Sequence, residues 1–499
     1  MTIGARDLRE AAGGVLASRL SPRYLEEHCL IPLGVADDGI LDVAVGDGLD
    51  ASVADELSRV FRRKLRPVNV PRGEVIAAIM SATRAEPKVS VALNGDRDST
   101  DAAVGNLEAQ ANQAPVIKLV NVLLVDALQM GASDVHIEST ANGVRVRYRL
   151  DGVLQDVSNI ADQYGPAVIS RVKIMAGLDI AERRRSQDGR ARLNLADRNV
   201  DVRVSTLPAL HGESVVLRIL DHAGHGRDLS ELGMASDVRE GFERLIERNS
   251  GMILVTGPTG SGKTTTLYAA LARANVPGVK IVTVEDPVEY QIPGVIQIPV
   301  NAKAGFAFDN ALSSILRHDP DVIMIGEMRD STTAALATQA ALTGHLVFST
   351  LHTTDAASAI TRLVDMGIEP YLVAATVQGI VAQRLVRLLC DACAERYEPD
   401  ASEPGAPSDS EVPATYRRAK GCEKCANSGY RGRVGIYEYL AISDEHRAMI
   451  ARGASLAELR SIGRREGTKS LRDAGWDLVR SGRTSIAELA RVTSENSAR

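Results

Sequence analysis

The chain divides into stretches with different patterns of apolar and polar positions. Residues 1–85 mix short helix-like and strand-like runs such as "ILDVAVGD", which is typical of a small α/β module. Residues 86–113 are polar, lack apolar periodicity and therefore predict a flexible linker. From Pro115 apolar residues recur with helical spacing, and the runs "VRVRYRLDG" and "ESVVLRIL" then alternate. This pattern predicts a helix followed by half-exposed antiparallel strands, a second α/β domain over 114–225.

From residue 226 the pattern changes to apolar strands, each followed by a helix. The runs "MILVTG", "VKIVTVED", "DVIMIGE" and "HLVFSTLH" all end in polar or acidic residues. In a parallel sheet these ends gather on one edge, where open α/β folds bind ligands. We assign residues 226–389 to this domain, 390–435 to a subdomain that contains four cysteines, and 436–499 to a C-terminal helical region.

The loop after the first of these strands has the spacing of a phosphate-binding loop. It fits Gly-x-x-x-x-Gly-Lys-Thr between a strand and a helix, so its backbone N–H groups and the helix N-terminus can face phosphates. We expect Lys263 to contact the terminal phosphates of a nucleotide and Thr264 to bind Mg²⁺ through its hydroxyl. The predicted nucleotide-binding residues are Gly257, Pro258, Thr259, Gly260, Ser261, Gly262, Lys263, Thr264 and Thr265.

Acidic residues follow the next two strands. Glu285 in "TVEDPVEY" and Glu327 in "MIGEMRD" stand at strand ends, where a carboxylate can orient water for attack on phosphate or hold Mg²⁺. We predict that both are catalytic, and leave open which of them acts on water. Glu289 and Asp330 are interpreted as surface charges.

Two histidines flank the fourth strand, His345 before it and His352 after it. A histidine at such a position is often a structural residue. A neutral imidazole at a strand end can also hydrogen-bond a phosphate oxygen or the two carboxylates, so we keep both histidines as candidates.

Four of the five cysteines form two Cys-x-x-Cys pairs separated by a low-complexity insert. The pairs are Cys390 with Cys393 and Cys422 with Cys425. Four thiolates without histidine suit a closed tetrahedral Zn²⁺ site, and neither pair opens the βαβ unit of a thioredoxin-like redox motif. We therefore predict structural zinc rather than a redox pair, and a buried Cys29.

Composition narrows the possible partners. The 499 residues carry a net charge of -6 with 3% aromatic residues, which disfavours nucleic acid as a partner. Charged residues near the N-terminus disfavour a signal peptide, and no apolar run has the length that spans a bilayer, so we expect a cytosolic protein.

Several motifs together resemble one family. These are "GPTGSGKTT", "TVEDPVEY", "LRHDPDVIMIGEMRD", "ALTGHLVFSTLHT", the four cysteines and, upstream, "ASDVHIE", "QDGR" and "STLPALHGESVVLRIL". From residue 114 to the C-terminus the chain is similar to the secretion ATPases of type II secretion and type IV pilus assembly. Ser186 stands where the family commonly has proline, which affects no catalytic assignment.

The resemblance implies a fold, an assembly and several residue roles. It implies an α/β protein with a RecA-like ATPase domain after a PAS-like domain, working as a hexamer with ATP, Mg²⁺ and Zn²⁺. It implies that Arg203 and Arg218 reach the terminal phosphate when the two domains close, as arginine fingers do. Lys263, Glu285, Glu327, His345 and His352 match the catalytic motifs, and the roles of Arg317 and Arg329 stay open.

The same resemblance implies membrane partners and leaves two functions in contention. The N-terminal module would bind a bitopic inner-membrane protein, and a polytopic platform protein would receive the motion, so the enzyme would work at the cytoplasmic face. The four cysteines disfavour the shorter retraction motors. Only one approximate "RLG"-led unit, "RLSPRYLEEHCLIPLG", is present, which favours type II secretion over pilus extension and leaves binding of a cyclic dinucleotide open.

Two other classes remain as alternatives. The chain could be a nucleotide-gated scaffold that barely hydrolyses ATP, although intact Lys263, Glu285 and Glu327 disfavour this. It could also be a DNA-translocating motor on a related fold, which the acidic composition disfavours.

Overall fold

A computed structural model describes residues 28–84 apart from 36–38, 47 and 62, and residues 110–494 apart from 196–197, 221–225, 227, 301–306 and 400–415. Five scattered residues before 28 are also described. The chain forms two compact units, residues 1–97 and 98–499. Most of the predicted linker, 86–109, lies outside the described residues, as does most of the cysteine-flanked insert.

Residues 28–84 of the first unit, apart from the undescribed positions among them, contain a three-stranded sheet with two helices. Strand β1 pairs antiparallel with β2, and β2 pairs parallel with β3. Helix α1 buries Val53, Leu57 and Phe61 at four-residue spacing, so one face packs on the core. The element bounds are β1 Leu30–Val35, β2 Leu41–Val45, α1 Ala51–Phe61, β3 Leu65–Asn69 and α2 Arg72–Arg84.

The second unit begins with an antiparallel sheet that two helices cover. Its strand order is β6-β5-β4-β9-β8-β7. Alternate residues of these strands are buried against the helices, as the alternating sequence predicted. The bounds are α3 Ala114–Gln129, β4 Ala132–Thr140, β5 Gly143–Leu150, β6 Val153–Ile160, α4 Gly165–Met175, β7 Gln187–Leu195, β8 Arg198–Ala209 and β9 Gly212–Leu220.

A seven-stranded sheet follows, with the order β12-β11-β13-β14-β10-β15-β18. All neighbouring strands are parallel except β15 and β18. The bounds are α5 Ser236–Ile246, β10 Gly251–Thr256, α6 Lys263–Ala274, β11 Ile281–Glu285, β12 Ile296–Pro299, α7 Phe308–Ile315, β13 Val322–Ile325, α8 Ser331–Leu342, β14 Leu346–Leu351, α9 Ala356–Asp365, α10 Pro370–Thr376, β15 Val377–Leu389, β16 Glu395–Arg396, β17 Arg417–Arg418 and β18 Tyr430–Ala441.

Both faces of the seven-stranded sheet are covered by helices. On β10, Met252 and Leu254 face one core, with helices α7 to α10, while Ile253 and Val255 face the other, with α5 and α6. Every residue of β10, β13 and β14 is buried. This double burial explains why these strands are continuous apolar runs rather than alternating ones.

Four short helices complete the chain, and each begins at a serine. Each serine hydroxyl accepts a hydrogen bond from the backbone N–H three residues later, which satisfies a donor that the first helical turn leaves free. The capping serines are Ser443, Ser455, Ser470 and Ser485. The bounds are α11 Asp444–Ala451, α12 Leu456–Arg465, α13 Leu471–Arg480 and α14 Ile486–Thr493. In the described part of the chain, no helix combines the length and apolarity that crossing a bilayer requires.

Candidate functional site: the phosphate loop and its surroundings

The predicted phosphate loop runs from the carboxyl end of β10 to the first residue of α6. Gly257 adopts a positive φ of 146°, and a Cβ built on it would lie 2.4 Å from the Gln383 carbonyl oxygen of β15. The Gln383 side chain also holds the loop, because its Nε2 donates to the Ser261 carbonyl at 2.7 Å. The loop is therefore seated on β15, with the exposed Thr264 in the first turn of α6.

The Lys263 ammonium lies folded over its own loop. Its Nζ donates to the carbonyl oxygens of Gly257 at 2.8 Å and Pro258 at 3.1 Å. Burial lowers the pKa of Lys263 to about 8, against the opposing charge of Glu327. When phosphate oxygens bind in this loop, Lys263 Nζ would exchange its neutral carbonyl acceptors for charged ones. Charged acceptors favour the protonated amine.

Glu327 lies directly beyond β13, next to Lys263. Its Oε1 accepts from Arg329 Nη2 at 2.5 Å, and its Oε2 lies 3.5 Å from His352 Nε2. Burial raises the pKa of Glu327, but the hydrogen bond and charge of Arg329, with a contribution from His352, outweigh burial and hold the pKa below its usual value. Glu327 is therefore an ionised carboxylate at the edge of the sheet that carries the phosphate loop, and the structure brings His352 to it as predicted.

Glu285 is placed differently from Glu327. Its side chain is enclosed at the end of β11, where its two oxygens accept hydrogen bonds from the Tyr268 hydroxyl, the Thr283 hydroxyl at 2.5 Å and Gln297 Nε2 at 3.2 Å. Only 3% of Glu285 is exposed. Because Glu285 is buried and three protein donors bind its two oxygens, it has the environment of a positioning residue rather than of a group that contacts water.

Tyr268 connects this buried network to the acidic loop after β11. Its hydroxyl donates to Glu285 and accepts the backbone N–H of Glu289 at 3.2 Å, and its ring packs edge-on against Tyr290. Burial and then the Glu285 contact raise the pKa of this hydroxyl well above its usual value, so it stays a donor. Tyr268 lies on α6, the helix that begins at the phosphate loop. It therefore links this helix to Glu289.

Glu289 forms the contact between the acidic loop and the second domain. Its Oε2 lies 3.4 Å from Nη2 of Arg203 on β8. The interpretation of Glu289 as a surface charge is therefore incomplete, because Glu289 also pairs with an arginine of the second domain. Asp330 is the N-cap of α8, with a side chain that accepts from the Thr333 N–H.

Arg203 and Arg218 are direct cross-strand partners on β8 and β9, so both extend from the same face of the sheet. Arg218 Nε donates to the buried Asp134 at 2.9 Å, as Arg203 pairs with Glu289. In this arrangement each arginine pairs with a carboxylate rather than extending to the phosphate loop. Of the two arginines whose roles were open, Arg317 donates to the Ser313 carbonyl of α7 and Arg329 to Glu327.

His345 lies away from the site predicted for it. It precedes β14, and its carbonyl accepts from the N–H of Gly251, the first residue of β10. The parallel register from Gly251 with Leu346 to Thr256 with Leu351 puts His345 at the edge opposite the phosphate loop. Its Nδ1 is within hydrogen-bond distance of the Ala340 carbonyl. A direct contact with phosphate or with Glu327 in the same subunit is therefore not supported.

The four predicted zinc ligands come together. The Sγ atoms of Cys390, Cys393, Cys422 and Cys425 all lie within 4.8 Å of one another, with neighbouring pairs at 3.7 to 3.9 Å. A tetrahedron of Zn–S bonds of about 2.3 Å has edges of about 3.8 Å. Although burial raises it, the pKa of Cys425 falls to about 7 because the backbone N–H groups of Cys422 and Gly429 donate to its sulfur. The tetrad is thus compatible with zinc.

Sequence patterns missed three residues of this region: Tyr268, Gln297 and Gln383. Each is a polar residue within an otherwise apolar or mixed segment, and its partner lies far away in the chain. The one available signal was Tyr268, because it occupies a helical position that faces the sheet. A buried hydroxyl there needs a hydrogen-bond partner.

The fold and the loop define a P-loop nucleotide-binding protein of the RecA-like class. A family model described as "Type II/IV secretion system protein" matches residues 109–491, and the chain belongs to that family. A second model, described as "MshEN domain", matches residues 6–87.

Curated relatives agree with this assignment. The type II secretion system ATPase E of Vibrio cholerae is 49% identical over 77% of this chain and 76% of its own length. The type II secretion system protein E of Xanthomonas campestris is 44% identical over 95% of this chain and 85% of its own. The type IV pilus assembly ATPase PilB of Myxococcus xanthus is 41% identical over 94% and 85%.

Solved structures share the fold. The ATPase DotB of Legionella pneumophila superposes with a TM-score of 0.54 at 20% identity, covering 74% of this chain and 94% of its own. The pilus retraction motor PilT with bound ADP has a TM-score of 0.50 at 24% identity, covering 76% and 98%. Both superpose over about three quarters of this chain, so the predicted α/β fold class is confirmed.

The lowered pKa of Lys263 predicts proton uptake on nucleotide binding. At pH 8 about half of the free protein carries a neutral Lys263, and phosphate binding should restore its charge. Calorimetric titration of ADP at pH 8 in buffers with different ionisation enthalpies should give uptake of about half a proton, falling towards zero near pH 6. The Lys263→Arg variant should show no uptake at either pH, and equal uptake in both proteins would contradict the assignment.

Tyr268→Phe tests the link between α6 and Glu289. The ring packing stays, but the hydroxyl that holds Glu285 and the Glu289 N–H is lost, so kcat for ATP hydrolysis should fall about tenfold with little change in KM. Tyr439→Phe is the matched control, since it removes a partly buried hydroxyl that donates to Gly241 on the same domain. Equal losses in the two variants would indicate a general effect on stability.

The cysteine tetrad predicts one zinc ion per chain. Metal analysis of the purified protein should give about one equivalent of zinc, and Cys422→Ser should lower it because the site loses a thiolate. Cys29→Ser, which changes the buried cysteine of the first unit, should keep the wild-type zinc content. Wild-type protein without zinc, or equal zinc in both variants, would refute the site.

Proposed function

We propose that the chain is a motor that hydrolyses ATP to drive pseudopilus assembly and protein export by a type II secretion system. One observation carries this proposal: the phosphate-loop lysine and an ionised glutamate stand together at one sheet edge, and an arginine of the preceding domain is paired with the adjacent acidic loop. The residues are Lys263, Glu327 and Arg203.

Each of these residues has a defined task during hydrolysis. Lys263 exchanges its carbonyl partners for the β- and γ-phosphates, and Thr264 would hold Mg²⁺, which supplies charge neutralisation to the phosphates when bound. Glu327 orients the attacking water, and His352 restrains the Glu327 carboxylate. Glu285 acts indirectly, because it holds the Tyr268 hydroxyl in place. We therefore propose that the catalytic role predicted for Glu285 is one of positioning.

Closure of the two domains supplies the remaining positive charge. The terminal phosphate competes with Glu289 for Arg203 and with Asp134 for Arg218, so both arginines move to the nucleotide when ATP is bound. The half-exposed Arg203–Glu289 pair contributes only about 0 to 1 kcal/mol, so a triphosphate can displace it. The buried Asp134 keeps contacts with Arg149 and Ser133 when Arg218 leaves it. Hydrolysis and release let Glu289 and Asp134 recapture the arginines, which restores the arrangement described here.

We place this cycle in a hexamer at the cytoplasmic face of the inner membrane. The N-terminal module would dock on a bitopic inner-membrane protein, and a polytopic platform protein would receive the motion. The match of residues 6–87 to a separate domain model supports a distinct interaction module. The cysteine tetrad would hold structural zinc, which stabilises a subdomain too small to bury its own core.

Type II secretion is favoured over pilus extension by the comparisons. Relatives named for type II secretion reach 49% identity, whereas the pilus assembly ATPase is 41% identical. The sequence also shows one approximate "RLG"-led unit instead of a pair.

Phosphate release by the full chain with its membrane partner present tests the catalytic assignment. Glu327→Gln and Arg203→Gln should each lower kcat by at least about a hundredfold, because each removes a charge that the transition state uses. Arg145→Gln is the control: it removes an arginine of the same sheet that pairs with Glu138, which Arg147 still satisfies. Wild-type turnover in Arg203→Gln would disprove closure, and wild-type turnover in Glu327→Gln would disprove the role of that carboxylate.

A further inference from the structure

A second polar cavity lies among the C-terminal helices and is not part of the nucleotide site. Its volume is about 450 Å³, and four arginines line it, from β15, α12 and α13. They are Arg384, Arg460, Arg464 and Arg472. Hydroxyls from Thr354, Thr468 and Ser470 add further hydrogen-bonding groups to the wall. Guanidinium groups and hydroxyls together form a wall rich in donors.

The positive charge of this cavity is only partly compensated. Of its two carboxylates, Asp355 is paired with Arg460 at 2.5 Å and also caps α9. Glu438 accepts the Ala356 N–H, and burial and then nearby Asp355 raise its pKa, which reduces its negative charge. In the described part of the chain, Arg464 and Arg472 form no ion pair.

Arg384 is the most enclosed of the four arginines. Its Nη1 donates to the Val492 carbonyl, while its Nε is buried and has no partner among the described residues. Burial lowers the pKa of Arg384, with Asp355 opposing. Arg384 therefore contributes a positive charge at the inner end of the cavity wall.

The cavity is connected to the phosphate loop through two short segments. Arg384 follows Gln383, whose side chain holds the loop at Ser261. Thr354 follows Thr353, whose backbone N–H donates to the Thr256 hydroxyl at 3.0 Å, at the end of β10. A ligand that moves either segment would therefore change the fit of the phosphate loop.

We propose that this cavity binds a small phosphate-bearing anion, separately from the nucleotide held by the phosphate loop. Arginine matches phosphate oxygens with paired N–H donors, and three guanidinium groups are available besides the one that Asp355 holds. The volume accommodates a pyrophosphate-sized group with its water. A free phosphate compound and a phospholipid headgroup share this chemistry.

The test uses the full chain with its phosphate loop saturated by ADP and Mg²⁺. Inorganic pyrophosphate is then titrated calorimetrically, and a second binding event should appear. Arg464→Gln and Arg472→Gln should each weaken it about tenfold, because each removes a charge-assisted hydrogen bond. Their matched controls are the neighbouring Arg465→Gln and Arg480→Gln, whose side chains pair with Glu445 and Asp477 outside the cavity. The controls should bind as wild type does.

Two further measurements complete the test. If the two sites are coupled, pyrophosphate changes the affinity for ADP by some factor. By linkage, ADP should change the affinity for pyrophosphate by the same factor. Flotation with vesicles of phosphatidylcholine with and without phosphatidylglycerol distinguishes a headgroup from a free phosphate. Binding of either probe that is weakened about tenfold in Arg464→Gln and Arg472→Gln, but not in the two controls, supports the site. Absence of both binding events in the ADP-saturated protein, or binding that is equal in all four variants, overturns it.

Discussion

The parallel register of β13, β14 and β10 is the constraint on which the rest of the structure depends. These strands start in register and run in the same direction, so the residues that follow them meet at one edge. The phosphate loop follows β10, Glu327 follows β13, and His352 follows β14. Burial on both faces fixes this register, since a slip of one residue would exchange the two cores. The geometry of the site is therefore a consequence of packing.

The same register shows why some residues were predictable and others were not. Lys263 and the four cysteines were found because their chemistry depends on local spacing, which the sequence displays directly. Strand ends located Glu285, but not the three donors that enclose it, because those come from α6, β11 and β12. His345 was correctly predicted to precede its strand, but its distance from the phosphate loop was not foreseen, because that loop follows the opposite end of the neighbouring strand. The strands and layers of the fold were predictable from apolar periodicity, whereas contacts between distant side chains were not.

The path from nucleotide to second domain uses short contacts. Helix α6 begins at the phosphate loop, Tyr268 lies on it, the Tyr268 hydroxyl accepts the Glu289 N–H, and Glu289 pairs with Arg203. In the buried part of this path the Tyr268 hydroxyl donates to Glu285 and accepts from Gln297 Nε2 at 3.4 Å. Its outer end is a half-exposed ion pair that solvent screens. A shift of α6 would therefore move Glu289, and the contact that changes on this path is the one between Glu289 and Arg203.

A second contact between the second domain and the ATPase domain suggests the point about which the domains rotate. Asp151, in the tight turn between β5 and β6, accepts the Gly432 N–H at 2.9 Å and lies 3.1 Å from Arg433 Nε. Both partners lie at the start of β18, a few residues after Cys425. Asp151 therefore holds the second domain beside the cysteine tetrad while Arg203 holds it at the acidic loop. If ATP removes only the Arg203 contact, the Asp151 contact remains, and the second domain would rotate about the end that lies beside the four cysteines. The cysteine tetrad would then support that rotation.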